Sequence, residues 1–103
     1  MVEHIRNEDL ENQAFPNRSF DLVIHLDVME HLFDPFAALT EIYRTLDHGG
    51  ICIFTTPTYA ERATSEQVAF READGTRTVG EPEYHGNPQD STGSLVTWRH
   101  GYD

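Results

Sequence analysis

In the first half of the chain the apolar positions change period twice. Phe20-Asp21-Leu22-Val23-Ile24-His25-Leu26 is a nearly continuous apolar run. A run of that length predicts a strand buried on both faces, the kind parallel sheets contain. Beyond it Phe36, Leu39, Ile42, Tyr43 and Leu46 recur at helical spacing and share one stripe, the face expected to be buried. Both ends of that helix carry signals. Asp34 suits the N-cap, and Pro35 suits the first helical position, where its missing N–H costs nothing. Arg44 and His48 place positive charge near the carboxyl end, and Gly49-Gly50 is expected to stop the helix. A second apolar run, Ile51 to Thr55, follows at once and ends at Pro57. Strand, helix and strand within about 36 residues predict a right-handed parallel crossover unit.

The flanks are less regular. Val2 to Arg6 alternates weakly and could form a short strand, Asn7 to Asn12 is polar, and Ala14 to Ser19 has turn chemistry. Residues 58–103 are expected to be loop-rich. Ala60 to Arg71 has helix-forming composition but a poor stripe, since Val68 and Phe70 lie two apart. Asp74-Gly75, Gly80-Glu81-Pro82, Gly86-Asn87-Pro88 and Ser91-Thr92-Gly93 punctuate the segment with turns. Ser94 to Trp98 could be one short strand. No internal repeat is present.

Composition narrows the functional classes. The 103 residues are expected to form one domain, 1–103, with an ordered part over 1–57 and a tail over 58–103. No apolar run approaches the ~20 residues of a membrane span, and no basic-then-apolar leader opens the sequence. A cytoplasmic location is therefore expected, with no membrane partner. The single cysteine, Cys52, lies in an apolar run with no basic neighbour in sequence, which predicts a buried, inert thiol. The net charge of −11 makes nucleic acid and anionic lipid poor partners. Six histidines are present, yet none falls into an HxH, HExxH or paired-cysteine spacing, so no built-in metal site is expected.

Phe20 to Leu32, then Asp34-Pro35, then Glu41-Ile42-Tyr43-Arg44-Thr45-Leu46-Asp47-His48-Gly49-Gly50, resembles the class I S-adenosylmethionine-dependent methyltransferases. The likeness is greatest to the small-molecule enzymes (methyltransferase type 11-like) whose fourth strand ends in a Glu-His pair, here Glu30-His31. Phe15-Pro16-Asn17-Arg18-Ser19 matches the turn into that strand, and the resemblance runs from about Glu8 to Pro57. A softer likeness extends to Glu83-Tyr84-His85-Gly86-Asn87-Pro88 and Gly93-Ser94-Leu95. The fold class implied is α/β, a partial Rossmann-like class I methyltransferase fold. The family's Gly-rich cofactor turn and the acidic residue after its second strand have no counterpart before Phe20. The resemblance therefore implies a truncated domain.

It also implies roles for particular residues. Ligands of such sheets bind beyond the carboxyl ends of the strands. Asp9 and Leu10 match the family's adenine-binding position, and Leu26 and Asp27 the end of the fourth strand, near the sulfonium. His31 matches a position able to act as a base toward an acceptor hydroxyl or amine. Each has a plainer reading: Asp9 as solvated surface, Asp27 as the cap of a helical turn, His31 as a loop-fixing histidine. His25 reads as core or edge packing. Tyr84-His85 and Trp98 to His100 could line a substrate pocket or anchor the tail.

The function implied is methyl transfer from S-adenosyl-L-methionine to a small-molecule acceptor. The alternative is a non-catalytic remnant or interaction module that binds no cofactor by itself. A central strand left with an unpaired edge predicts self-association, a complementing chain, or a remodelled sheet in which the first strand moves beside Leu22–Leu26.

Overall fold

The computed structural model describes residues 5–59, 61–87 and 90–101. They divide into two compact units: residues 1–24 with 34–53, and residues 25–33 with 54–103.

Most of the crossover lies in the first unit, while the last residues of both strands and the turn after β1 belong to the second. Strand β1 (Phe20–Leu26) leads through a short 3-10 turn (Met29–His31) to helix α1 (Pro35–Thr45), which feeds strand β2 (Leu46–Thr55). β1 and β2 form a two-stranded sheet. The Ser19 N–H donates to Thr45 O at 2.7 Å, and at the far ends the Asp27 N–H donates to Thr55 O at 2.9 Å. Both strands therefore advance in the same direction, and the parallel unit expected from the sequence is present. The Val2–Arg6 strand falls largely on residues 1–4, outside the described residues, and Ile5 and Arg6 belong to no strand.

Helix α1 begins as its sequence dictates. Asp34 Oδ1 accepts the Ala37 N–H at 3.0 Å, with Pro35 in the first turn. Its buried face differs from the expected stripe. Pro35, Ala38, Ile42 and Thr45 are buried, whereas Phe36 and Tyr43 are 74% and 84% exposed and Leu39 is exposed as well. The physical reason is the polar anchorage of the last turn. Arg44 grips Glu41 through Nε and Nη2, both at 2.9 Å, and donates onward to Phe15 O at 2.8 Å, Asn17 Oδ1 at 2.9 Å and Gln13 O at 3.1 Å. The Gln13 N–H returns to Glu41 Oε2 at 2.8 Å. These bonds turn the Glu41–Thr45 side of the helix toward residues 13–17, and Ala38 and Ile42 turn inward with it.

The helix also stops earlier than expected. Leu46 is already extended (φ −76°, ψ 136°), and Gly49-Gly50 lies inside β2 rather than at the helix end. Between the Ser19–Thr45 and Asp27–Thr55 bonds β2 uses two more residues than β1. Gly49 (φ +76°) takes up part of that excess in the left-handed region open to glycine.

β1 is not buried on both faces. Leu22, Ile24, Leu26, Ile51 and Ile53 are 51–61% exposed, whereas Val23 and Cys52 are half-buried and His25 is buried. Side chains alternate across a strand, so one face of the pair is covered and the other is open. A parallel sheet normally has both faces covered.

The second unit differs from a loop-rich tail. Among the described residues it carries six short strands: β3 (Glu66–Gln67), β4 (Ala69–Glu72), β5 (Gly75–Thr78), β6 (Tyr84–Asn87), β7 (Asp90–Leu95) and β8 (Trp98–Arg99). β4–β5, β6–β7 and β3–β8 pair antiparallel. The β4–β5 hairpin turns one residue earlier than the expected Asp74-Gly75, at Ala73-Asp74, with Gly75 opening β5 opposite Glu72. The helix-forming composition of Ala60–Arg71 is overridden: within the described residues it holds β3 and the start of β4, consistent with Val68 and Phe70 alternating in period two. The single strand expected over Ser94–Trp98 is instead the end of β7 and the start of β8, with a break at Val96–Thr97.

Thr97 explains the break. Its N–H and hydroxyl both donate to Glu30 O, at 2.7 and 2.9 Å, and the hydroxyl also contacts Leu32 O. Its carbonyl accepts from the Val68 and Ala69 N–H groups at 2.7 and 3.1 Å. Met29, Val68, Ala69 and Val96 form the buried apolar set of this unit.

Candidate active site

The carboxyl ends of β1 and β2 meet at Asp27 and Thr55. Besides its bond to Thr55 O, the Asp27 N–H reaches Thr55 Oγ1 at 3.2 Å, and the Thr55 hydroxyl lies 3.2 Å from Asp27 Oδ1, to which it donates. Asp27 has φ +53°, a left-handed conformation that Asp tolerates better than most residues. Leu26 and Asp27 are both exposed, so the Asp27 carboxylate faces solvent at the strand ends, held by Thr55. The alternative role for Asp27, capping the turn that follows, is not what these bonds show: Val28 is the residue preceding that turn, and no side chain caps it.

Asp9 and Leu10 lie in the other unit. Asp9 Oδ1 accepts the Glu11 N–H at 2.9 Å, and Asp9 O accepts the Asn12 N–H at 3.0 Å, so the residue shapes its own turn. Asp9 is exposed and Leu10 half-buried.

His31 is held by its Nδ1, 2.7 Å from Leu95 O. A carbonyl only accepts, so Nδ1 carries the proton and Nε2 keeps a free lone pair. The His85 ring stands edge-on to it, with centroids 5.1 Å apart. Glu30, next to His31, is 2% exposed, and neither carboxylate oxygen has a hydrogen-bond partner among the described residues. His85 Nδ1 lies 3.8 Å from Glu30 Oε2. On the other side of the imidazole, His85 Nε2 lies 3.3 Å from Glu83 Oε2. Glu83 also accepts from the Tyr59 hydroxyl at 2.8 Å and from Arg99 Nε at 3.2 Å. The Tyr59 bond, supported by Arg99 and His85, holds the Glu83 carboxyl below its ordinary range against the opposing effect of burial. Burial and then the Glu83 carboxylate push the Tyr59 phenol up.

Sequence reasoning singled out His31 and, separately, Tyr84-His85, but gave no sign that Glu30, His31 and His85 converge. The β6–β7 hairpin produces that meeting, and its register is invisible in local spacing. His25 packs as expected, stacked on Phe54 with centroids 4.8 Å apart, and burial lowers its pKa. Burial raises the Cys52 thiol, in line with an inert role. A depression of about 380 Å³ is lined by Asn17, Arg18, Tyr43, Arg44 and Leu46–Gly50. It sits at the amino ends of β1 and β2, opposite to where an open parallel sheet binds ligands.

The family model for the methyltransferase domain matches residues 2–54, and the chain belongs to that family. A protein of Mycolicibacterium smegmatis named "Probable S-adenosylmethionine-dependent methyltransferase" is 36% identical over 53 residues, covering 52% of this chain and 21% of the relative. A "Ubiquinone biosynthesis O-methyltransferase" of Cereibacter sphaeroides is 37% identical over 51 residues, covering 50% of this chain and 21% of the relative. The matched part of the chain thus spans about a fifth of the length of these curated relatives. No solved structure matches at a significant level.

Proposed function

We propose that this chain contributes to methyl transfer from S-adenosyl-L-methionine to a small-molecule acceptor, supplying the side of the cofactor site that lies at the carboxyl ends of β1 and β2. The observation that carries this reading is the Asp27–Thr55 arrangement: a solvent-facing carboxylate, fixed in a left-handed turn at the end of a parallel pair. A carboxylate there suits the positive sulfonium, and methyl transfer is chiefly a matter of positioning two bound reactants. Leu26 supplies backbone beside it, and Asp9 and Leu10 keep the adenine-binding role that the family resemblance implies for them. His31 Nε2 is the lone pair available to receive an acceptor proton. The Gly-rich turn that completes such a site is not among these 103 residues, and a different chain or further sequence of the same protein would furnish it.

A second reading, a module that binds partners rather than cofactor, is favoured by the open apolar face of β1 and β2. Calorimetric titration with S-adenosylhomocysteine separates the two. Cofactor binding predicts weak heat at about millimolar ligand, an affinity near −4 kcal/mol, and its loss in Asp27→Ala. No heat at that concentration favours the partner-binding module.

A further inference from the structure

Glu30, His31 and His85 each offer one donor atom, and the three atoms lie within 4.8 Å of one another. We propose that they form a binding site for a divalent transition-metal ion of the zinc type, with Glu30 Oε, His31 Nε2 and His85 Nδ1 as ligands.

Two independent features point to a cation. The first is Glu30, whose buried carboxylate has no hydrogen-bond donor among the described residues. A carboxylate so placed is unfavourable unless a positive charge faces it. The second is the way both imidazoles are held. Leu95 O takes the Nδ1 proton of His31, and Glu83 takes the Nε2 proton of His85. This leaves a lone pair on Nε2 of His31 and on Nδ1 of His85, and for His85 that nitrogen is the one 3.8 Å from Glu30 Oε2. Metal-binding histidines are oriented in this manner, with the second ring nitrogen bonded to a carbonyl or carboxylate. Tyr59 and Arg99 in turn hold Glu83 in place.

Two imidazoles with one carboxylate favour a transition ion over magnesium or calcium, which prefer all-oxygen shells. Three protein ligands leave a coordination position open to water or another ligand. Metal ligation takes up His31 Nε2, so that nitrogen does not serve as a base while an ion is bound. The site stands without the methyl-transfer reading, because its test needs no cofactor.

The test is titration of the metal-free chain with Zn²⁺ by calorimetry and with Co²⁺ by visible absorption. One ion per chain is expected, with a ligand-field band for Co²⁺. Glu30→Gln and the double variant His31→Ala/His85→Ala should lose both signals. Glu83→Gln, which removes no ligand, should weaken Zn²⁺ about 10–100-fold. His48→Ala should change neither signal. Circular dichroism checks that each variant keeps the fold, and Glu83→Gln carries the test where a ligand variant does not fold. Binding that is absent, non-stoichiometric, or unchanged in the double variant or in Glu83→Gln would overturn the proposal.

Discussion

Asp27 and Thr55 tie the ends of the two parallel strands twice, through the Asp27 N–H on Thr55 O at 2.9 Å and through the Thr55 hydroxyl and Asp27 Oδ1 at 3.2 Å. The backbone bond makes the pair parallel, and the side-chain bond fixes where the carboxylate points. Thr55→Val keeps the first and removes the second. Because the bond is solvent-exposed, the expected loss of stability is small, about 0.5–1 kcal/mol, measured by urea unfolding. Weakened S-adenosylhomocysteine binding should accompany it.

His25 gives the fold a pH dependence of defined sign. Burial against Phe54 lowers its pKa from the ordinary value of 6.5. Between the folded and unfolded values the unfolded chain binds more protons, so stability rises with pH there. The contribution is complete above about 6.5 and is lost as the pH falls below that value toward the lower folded one. His25→Leu should flatten this part of the stability profile. The difference between the two chains, followed by urea unfolding at several pH values, isolates His25 from the other histidines.

Arg44 holds Gln13, Phe15 and Asn17 against the last turn of α1. Arg44→Ala should release that segment: amide exchange at residues 13–17 should speed up, while the amides of β4 and β5 keep their protection. Arg44→Lys should rescue little of it, since an ammonium cannot reproduce the two-pronged grip on Glu41.

The open face of β1 and β2 should drive association. Leu22, Ile24, Leu26, Ile51 and Ile53 are all more than half exposed. Light scattering behind a sizing column should give a mass above that of one chain, and Ile24→Glu should shift it toward the monomer. A wild-type chain that runs as a clean monomer would remove the argument for self-association through this face.

The crossover unit was legible in the sequence because its signals are local: a continuous apolar run, a capped helix with Pro35 in place, and a second run. What the sequence misplaced depended on contacts across the chain. The helix face turned because Arg44 and Glu41 engage residues 13–17, which periodicity cannot register. The two glycines read as a helix stop because local chemistry does not distinguish that role from a kink inside a strand. β1 looked buried on both faces because its composition is that of a covered parallel strand, whereas one face here is open. Asp27 and His31 were legible only through the family resemblance. The Glu30–His31–His85 cluster was not legible at all, because it depends on how the β6–β7 hairpin folds back.

That the carboxyl ends of β1 and β2 form part of a cofactor site is the proposal on which the methyl-transfer reading rests. It is tested most directly by recording the amide spectrum of the chain while S-adenosylhomocysteine is added to about millimolar concentration, where even an affinity of about −4 kcal/mol is visible. Shifts centred on Leu26 and Asp27 are expected, as is their disappearance in Asp27→Ala. A spectrum that does not move, or moves only around Arg18 and His48 at the opposite ends of the strands, would contradict it.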